Sequence, residues 1–151
     1  MEELNNPESE IYKQTLEQQN EYIDTKLGSS KMAALNDNMR CSGTKEEIVK
    51  HLNQGSAPNL IKVFFKTTDN CDICKGKKGE NNIMQLERAH CNIIGSRSDL
   101  LMMAINDLYT DNNTPIKVGD ILKLFIQKHK ICPLYTLCNL CHNKYDKPKK
   151  R

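Results

Sequence analysis

Apolar residues recur at helical spacing in three long stretches of the chain. In residues 7–27, Tyr12, Leu16, Ile23 and Leu27 form one stripe among Glu, Gln and Asn. This predicts an amphipathic helix, with Gly28 just beyond its end. Such a helix can pack on the body of the protein, on a partner helix or on a second copy, and packing on its own body is the default. Residues 98–109 (SDLLMMAINDLY) predict a second helix capped by Ser98, in which Leu100-Leu101-Met102-Met103 read as core. Residues 117–130 (KVGDILKLFIQKHK) predict a third, with Ile121, Leu122, Leu124, Phe125 and Ile126 on its apolar side. The short run at 60–65 (LIKVFF) fits a strand or a helix end equally well. Residues 83–94 (IMQLERAHCNII) read as a hairpin with a charged middle, closed by Gly95-Ser96. A last helix spans 140–145.

Residues 29–53 read as a compact helical unit. Ser29 and Ser30 can cap a short helix through Met32, Ala33, Ala34 and Leu35, and a loop follows from Asn36 to Gly43. Thr44-Lys45-Glu46-Glu47 is a capping box, in which the Thr hydroxyl takes a backbone donor three residues on and the Glu reaches back. Ile48, Val49 and Leu52 give the next helix its apolar face. The segment from Gln54 to Pro58 reads as a linker. The expected organisation is therefore an N-terminal helix (1–28), a small helical module (29–55), a cysteine-bearing domain (59–147) and a basic tail (148–151).

Composition narrows the class. Only 38% of the 151 residues are hydrophobic, 5% are aromatic and none is Trp, so a large apolar core is not expected. No apolar run is long enough to span a bilayer. The acidic, polar start resembles neither a signal nor a transit peptide, so a reducing intracellular compartment, cytoplasm or nucleus, is expected. The net charge of +3 hides an asymmetry. Residues 1–29 hold two of the 22 bases and seven of the 19 acids, which leaves 20 bases against 12 acids and a net +8 on the rest. A basic body favours a polyanionic partner, although a solvated lysine-rich surface explains the charge equally well.

The seven cysteines are the most specific signal. Cys71-Asp72-Ile73-Cys74 and Cys138-Asn139-Leu140-Cys141 are two Cys-x-x-Cys knuckles, whose four thiolates suit a tetrahedral zinc ion. Four thiolates leave no open position, so that zinc would be structural. A catalytic metal needs other ligands. His142 and Asp146, four apart on one helical face, can hold Mg²⁺ or Mn²⁺. His90, between the knuckles, can serve as a neutral general base. A satisfied structural histidine, or a zinc ligand competing with a cysteine, is the plainer role for His90, and capping or ion pairing the plainer role for His142 and Asp146. Cys91 and Cys132 read as buried free thiols, and His51 and His129, at helix ends, as surface residues.

At CDIC (71–74), LERAHCNII (86–94) and LCNLCHNKYD (137–146) the chain resembles the HNH, or ββα-metal, endonucleases over roughly residues 65–147. The resemblance implies a zinc-stapled ββα-metal domain with helical insertions. It gives His90 as general base, His142 and Asp146 as ligands of the catalytic metal, and Cys71, Cys74, Cys138 and Cys141 as zinc ligands. Two positions depart from the family pattern: Ala89 stands before the base where a ligating residue is common, and Pro133 where the family's middle Asn is usual. Glu87, Asn92 or Asn143 could supply a missing ligand or orient His90.

The segment LNDNMRCSGTKEEIVKHL (35–52) is similar to a SAP motif, a helical DNA-binding module. Leu35, Met39, Ile48 and Leu52 match its small core, and Ser42-Gly43-Thr44-Lys45 its turn. A capped helical hairpin packed on the rest is the alternative. The resemblance implies phosphate contacts from Lys31, Arg40, Gly43, Thr44, Lys45 and Lys50, to which the knuckle residues Lys75, Lys77 and Lys78 and the strand residue Arg88 add charge. The expected fold class is α+β. The expected activity is metal-dependent hydrolysis of duplex DNA, with an inactive zinc-stabilised DNA-binding protein and a structure-selective or RNA-directed nuclease as alternatives. No membrane partner is expected. Two-strand cleavage by a single-site chain would favour a homodimer.

Overall fold

The stripe of Tyr12 and Ile23 folds as expected into α1 (Glu10–Ser29). The computed structural model describes residues 2–29, 35, 38–65, 67–90 and 95–146, with only the backbone for Glu2, Gly28, Ser29 and Asp146. The expected short helix at 30–34, the cations Lys31 and the basic tail, and Asn92 lie outside the described residues. The architecture is α+β, with six α-helices and two small two-stranded sheets among the described residues. The helices after α1 are α2 (Lys45–Asn53), α3 (Ser56–Phe64), α4 (Arg97–Leu108), α5 (Val118–Lys128) and α6 (Asn139–Asp146). Among the described residues no helix is long and apolar enough to cross a membrane.

Several local readings are corrected. Gly28 lies inside α1 rather than beyond it. The expected linker at 54–58 is only the two caps Gln54 and Gly55 followed by the first turn of α3, whose Leu60, Ile61 and Phe64 are buried. Pro58 is accommodated because it sits in the first helical turn, where no N–H partner is required. The cap of α4 is Ser96, not Ser98; its side chain accepts from the Asp99 N–H, and Asp99 reaches back to the Ser96 N–H at 2.8 Å. The capping box of α2 is present as read, with Thr44 and Glu47 bonded in both directions.

The largest correction concerns the expected hairpin at 83–94. Among the described residues that segment supplies one strand, β2 (Leu86–His90). Its partner is distant in sequence: β4 (Leu134–Cys138), antiparallel, with Glu87 opposite Leu137 and His90 opposite Leu134. A second pair joins β1 (Arg40–Cys41) to β3 (Ile116–Lys117). That pairing settles Met39, expected in a small core with Leu35, Ile48 and Leu52. The latter three are buried, but the Met39 carbonyl takes the Val118 N–H and its side chain is 63% exposed.

Two apolar cores result. The larger collects Ile48 and Leu52 of α2, Leu60 and Phe64 of α3, Leu100, Leu101, Ala104 and Ile105 of α4, and Ile121, Leu122, Phe125 and Ile126 of α5, together with Ile23 of α1. The smaller gathers Leu4, Tyr12, Ile83, Ala89, Tyr135, Leu137 and Tyr145 around three of the knuckle cysteines. The polar helix α1 spans both, and polar side chains fasten it. Gln19 accepts from the Leu134 N–H and donates to the His129 and Cys132 carbonyls, while Asn20 donates to the Lys130 carbonyl. These bonds satisfy the irregular backbone between α5 and β4, which would otherwise be costly to bury.

Candidate functional site

The knuckles converge at the end of the β2–β4 ribbon. The Sγ atoms of Cys71, Cys74, Cys138 and Cys141 all lie within 4.8 Å of one another. Cys74 and Cys138 stand 3.9 Å apart, near the roughly 3.8 Å edge of a tetrahedron built on zinc–sulfur bonds of about 2.3 Å. Each knuckle also aims a backbone donor at its first sulfur, from Ile73 to Cys71 at 3.4 Å and from Cys141 to Cys138 at 3.3 Å. Burial opposes ionisation of Cys71, but backbone donors outweigh it and bring the thiol down to about 7. Burial and the neighbouring sulfurs drive Cys141 the other way. Four thiols so placed hinder one another's ionisation, and a bound cation removes that conflict. The cluster can hold a metal ion such as zinc.

Local contacts fix the knuckles on the sheet. Asp72 and Thr136 exchange two bonds of 2.8 Å, Asp72 N–H to the Thr136 carbonyl and Thr136 N–H to the Asp72 carboxylate. Asn139 accepts from the Met84 N–H at 2.8 Å and donates its own N–H to the Gln85 carbonyl. A Cβ at Gly76 would meet Ile83 Cδ1 at 2.5 Å, so a larger residue there would displace the end of that buried side chain.

With β2 and α6 pinned, their chemical residues meet. Glu87, His90 and His142 line one cleft of about 580 Å³, in which Lys62, Arg88 and Arg97 supply positive charge. His142 Nδ1 stands 2.9 Å from the Glu87 carboxylate. The carboxylate can only accept, so Nδ1 carries the proton, and in the neutral ring Nε2 keeps its lone pair. Glu87 therefore orients His142, not His90. Alternation along β2 sends Glu87 and Ala89 to one face and Arg88 and His90 to the other. On that second face His90 Nε2 lies 3.2 Å from His129 Nε2.

His129 was expected at the surface, yet it is 1% exposed. It follows α5 at the spacing of Leu122 and Phe125, so it continues their buried stripe. Its Nδ1 lies 2.7 Å from the Phe125 carbonyl, and the Phe65 and Phe125 rings flank it, each with a centroid at 4.7 Å. Burial pulls its pKa down to about 4, partly opposed by the Phe125 bond. His51 is exposed and Cys132 buried, as read.

The remaining site residues are more dispersed. Asp146 is in α6, four positions beyond His142, and Asn143 is exposed on the same helix. Lys50, Lys77 and Lys78 are exposed, as is Arg40, which pairs across the sheet with Lys117. Lys75, at a left-handed φ of 65°, donates to the Asp72 carbonyl. Lys45 stacks its ammonium 5.3 Å from the Tyr109 ring centroid, and the Gly43 carbonyl accepts from the Tyr109 hydroxyl. Sequence reasoning missed Lys62, Arg97 and His129; only the last left a signal, its helical register with Phe125. The chain matches no protein-family model, no curated protein and no solved structure.

Proposed function

We propose that this chain is a metal-dependent DNA endonuclease of HNH type. The supporting observation is a cleft whose lining includes Glu87 and His142 on one face of β2, His90 and Arg88 on the other, and Lys62 and Arg97, beside a cysteine cluster that could hold zinc. His90 accepts a proton from the attacking water. His142, oriented by Glu87, offers Nε2 to a hard divalent cation, the arrangement in which a ligating imidazole gives its other N–H to a carboxylate. Asp146, one helical turn on, supplies the anionic ligand. Bound there, Mg²⁺ or Mn²⁺ would neutralise charge developing on the phosphoryl and leaving oxygens. Lys62, Arg88 and Arg97 hold the phosphate backbone, while the 35–52 segment, as a SAP-like handle, and the exposed Lys77 and Lys78 extend the contact along the duplex.

A second reading is favoured by Ala89. Its methyl is 2% exposed and cannot ligate, so the same surface can serve a zinc-stabilised DNA-binding protein without cleavage. Plasmid incubated with zinc-loaded protein, with and without Mg²⁺ or Mn²⁺, separates the two. Metal-dependent nicking that disappears in His90→Ala, with zinc content unchanged, is the expected result. Intact plasmid in every lane, with DNA retained, would leave only the binding role.

A further inference from the structure

Two imidazole nitrogens 3.2 Å apart can hydrogen-bond only if one of them carries a proton and the other does not. The structure decides which. The Phe125 carbonyl is an acceptor, so His129 Nδ1, 2.7 Å away, is the protonated nitrogen of its ring. His129 is enclosed by two phenyl rings and 1% exposed, and such burial keeps the imidazole neutral. Its Nε2 therefore presents a lone pair. His90 must donate from Nε2, and a neutral His90 then carries its own lone pair on Nδ1. Among the described residues no third histidine, cysteine or carboxylate completes a ligand set with this pair.

We propose that His129 is the positioning residue of His90: it fixes the Nε2–H tautomer and so assigns Nδ1 as the proton-accepting nitrogen. The role in catalysis rests on the reading of His90 as general base; the tautomer does not. During hydrolysis the water proton passes to His90 Nδ1 as the water oxygen bonds to phosphorus. The bridging P–O bond breaks, and solvent protonates the leaving oxygen. The resulting imidazolium keeps its Nε2–H on His129, whose buried lone pair stabilises it without a second charged group.

The experiment pairs imidazole ¹⁵N NMR of the zinc-loaded chain with cleavage kinetics of His129→Phe and His129→Gln. Phe fills the space and removes the acceptor; Gln keeps an acceptor oxygen. In the parent, His90 is expected as the Nε2–H tautomer, and His129→Phe should convert it to a mixture. For cleavage, His129→Phe should lower kcat by about 100-fold with KM for DNA unchanged, and move the acidic limb of the pH profile down. His129→Gln should restore most of the rate. An Nδ1–H tautomer of His90 in the parent would overturn the proposal whatever the activity. So would a folded His129→Phe that keeps both the tautomer and the rate, or a second zinc equivalent lost in that variant, which would place an ion between the rings. A parent that cuts nothing yet shows the Nε2–H tautomer supports His129 as the positioning group and removes only the nuclease reading.

Discussion

Acidification should destabilise this protein through His129 in a window set by its two pKa values. The folded-state value is about 4, because burial disfavours the imidazolium, while an exposed histidine titrates near 6.5. Above 6.5 both states are neutral and the contribution to stability is fully present. Between 6.5 and 4 the unfolded chain takes up a proton that the folded chain refuses, so stability falls with pH. Below 4 both states are protonated and the loss levels off. The gap of roughly 2.5 units corresponds to about 3 kcal/mol in total, of which about 2 kcal/mol is lost by pH 5. Other groups titrate in the same range, above all the cysteine cluster, whose metal affinity also falls in acid. The reading is therefore a difference: urea unfolding of the parent and of His129→Gln at fixed free zinc, from pH 7.5 to 4.5. The parent should lose stability relative to the variant across the window, by about 2 kcal/mol at pH 5. Parallel curves would refute the reasoning and mean that the buried ring takes up its proton as readily as an exposed one.

Cys138→Ser, or excess chelator on the parent, should release the metal and cost several kcal/mol, since the smaller core around Leu137 and Ala89 is built on the cluster; metal analysis and hydrogen exchange of β2, β4 and α6 would check this, with unchanged protection counting against it. Thr44→Ala removes the side-chain acceptor for the Glu47 N–H and should lower global stability by about 1 kcal/mol in urea. Lys77→Ala combined with Lys78→Ala should weaken DNA binding without altering zinc content and reduce the salt slope of log K by roughly 2; an unchanged slope would place these lysines off the DNA path.

Much of the local structure was legible in the chain because its causes are local. The capping box at Thr44 and Glu47 acts over three residues, and the stripes of α1, α4 and α5 act within one helix. The two Cys-x-x-Cys spacings likewise impose a knuckle wherever they fold, and the four sulfurs do meet. Pro58 misled because its cost depends on position within a helix, which a composition of Gly, Ser and Pro does not state. Gln19 was one polar residue among many until the backbone it satisfies came to lie against it.

Which residues face each other followed from closure of the chain. β2 carries no mark of its partner, because strand pairing depends on which apolar faces must be covered together, and here the match is β4 beyond two intervening helices. The same closure sets Glu87 on His142 across 55 residues and His90 on His129 across 39. The Cys-x-x-Cys spacings, the capping box of α2 and the helical faces could be read along the chain because their energetics are settled within a few residues. The orientation and protonation of the histidines were decided by burial and by long-range contacts, which exist only once the chain has closed.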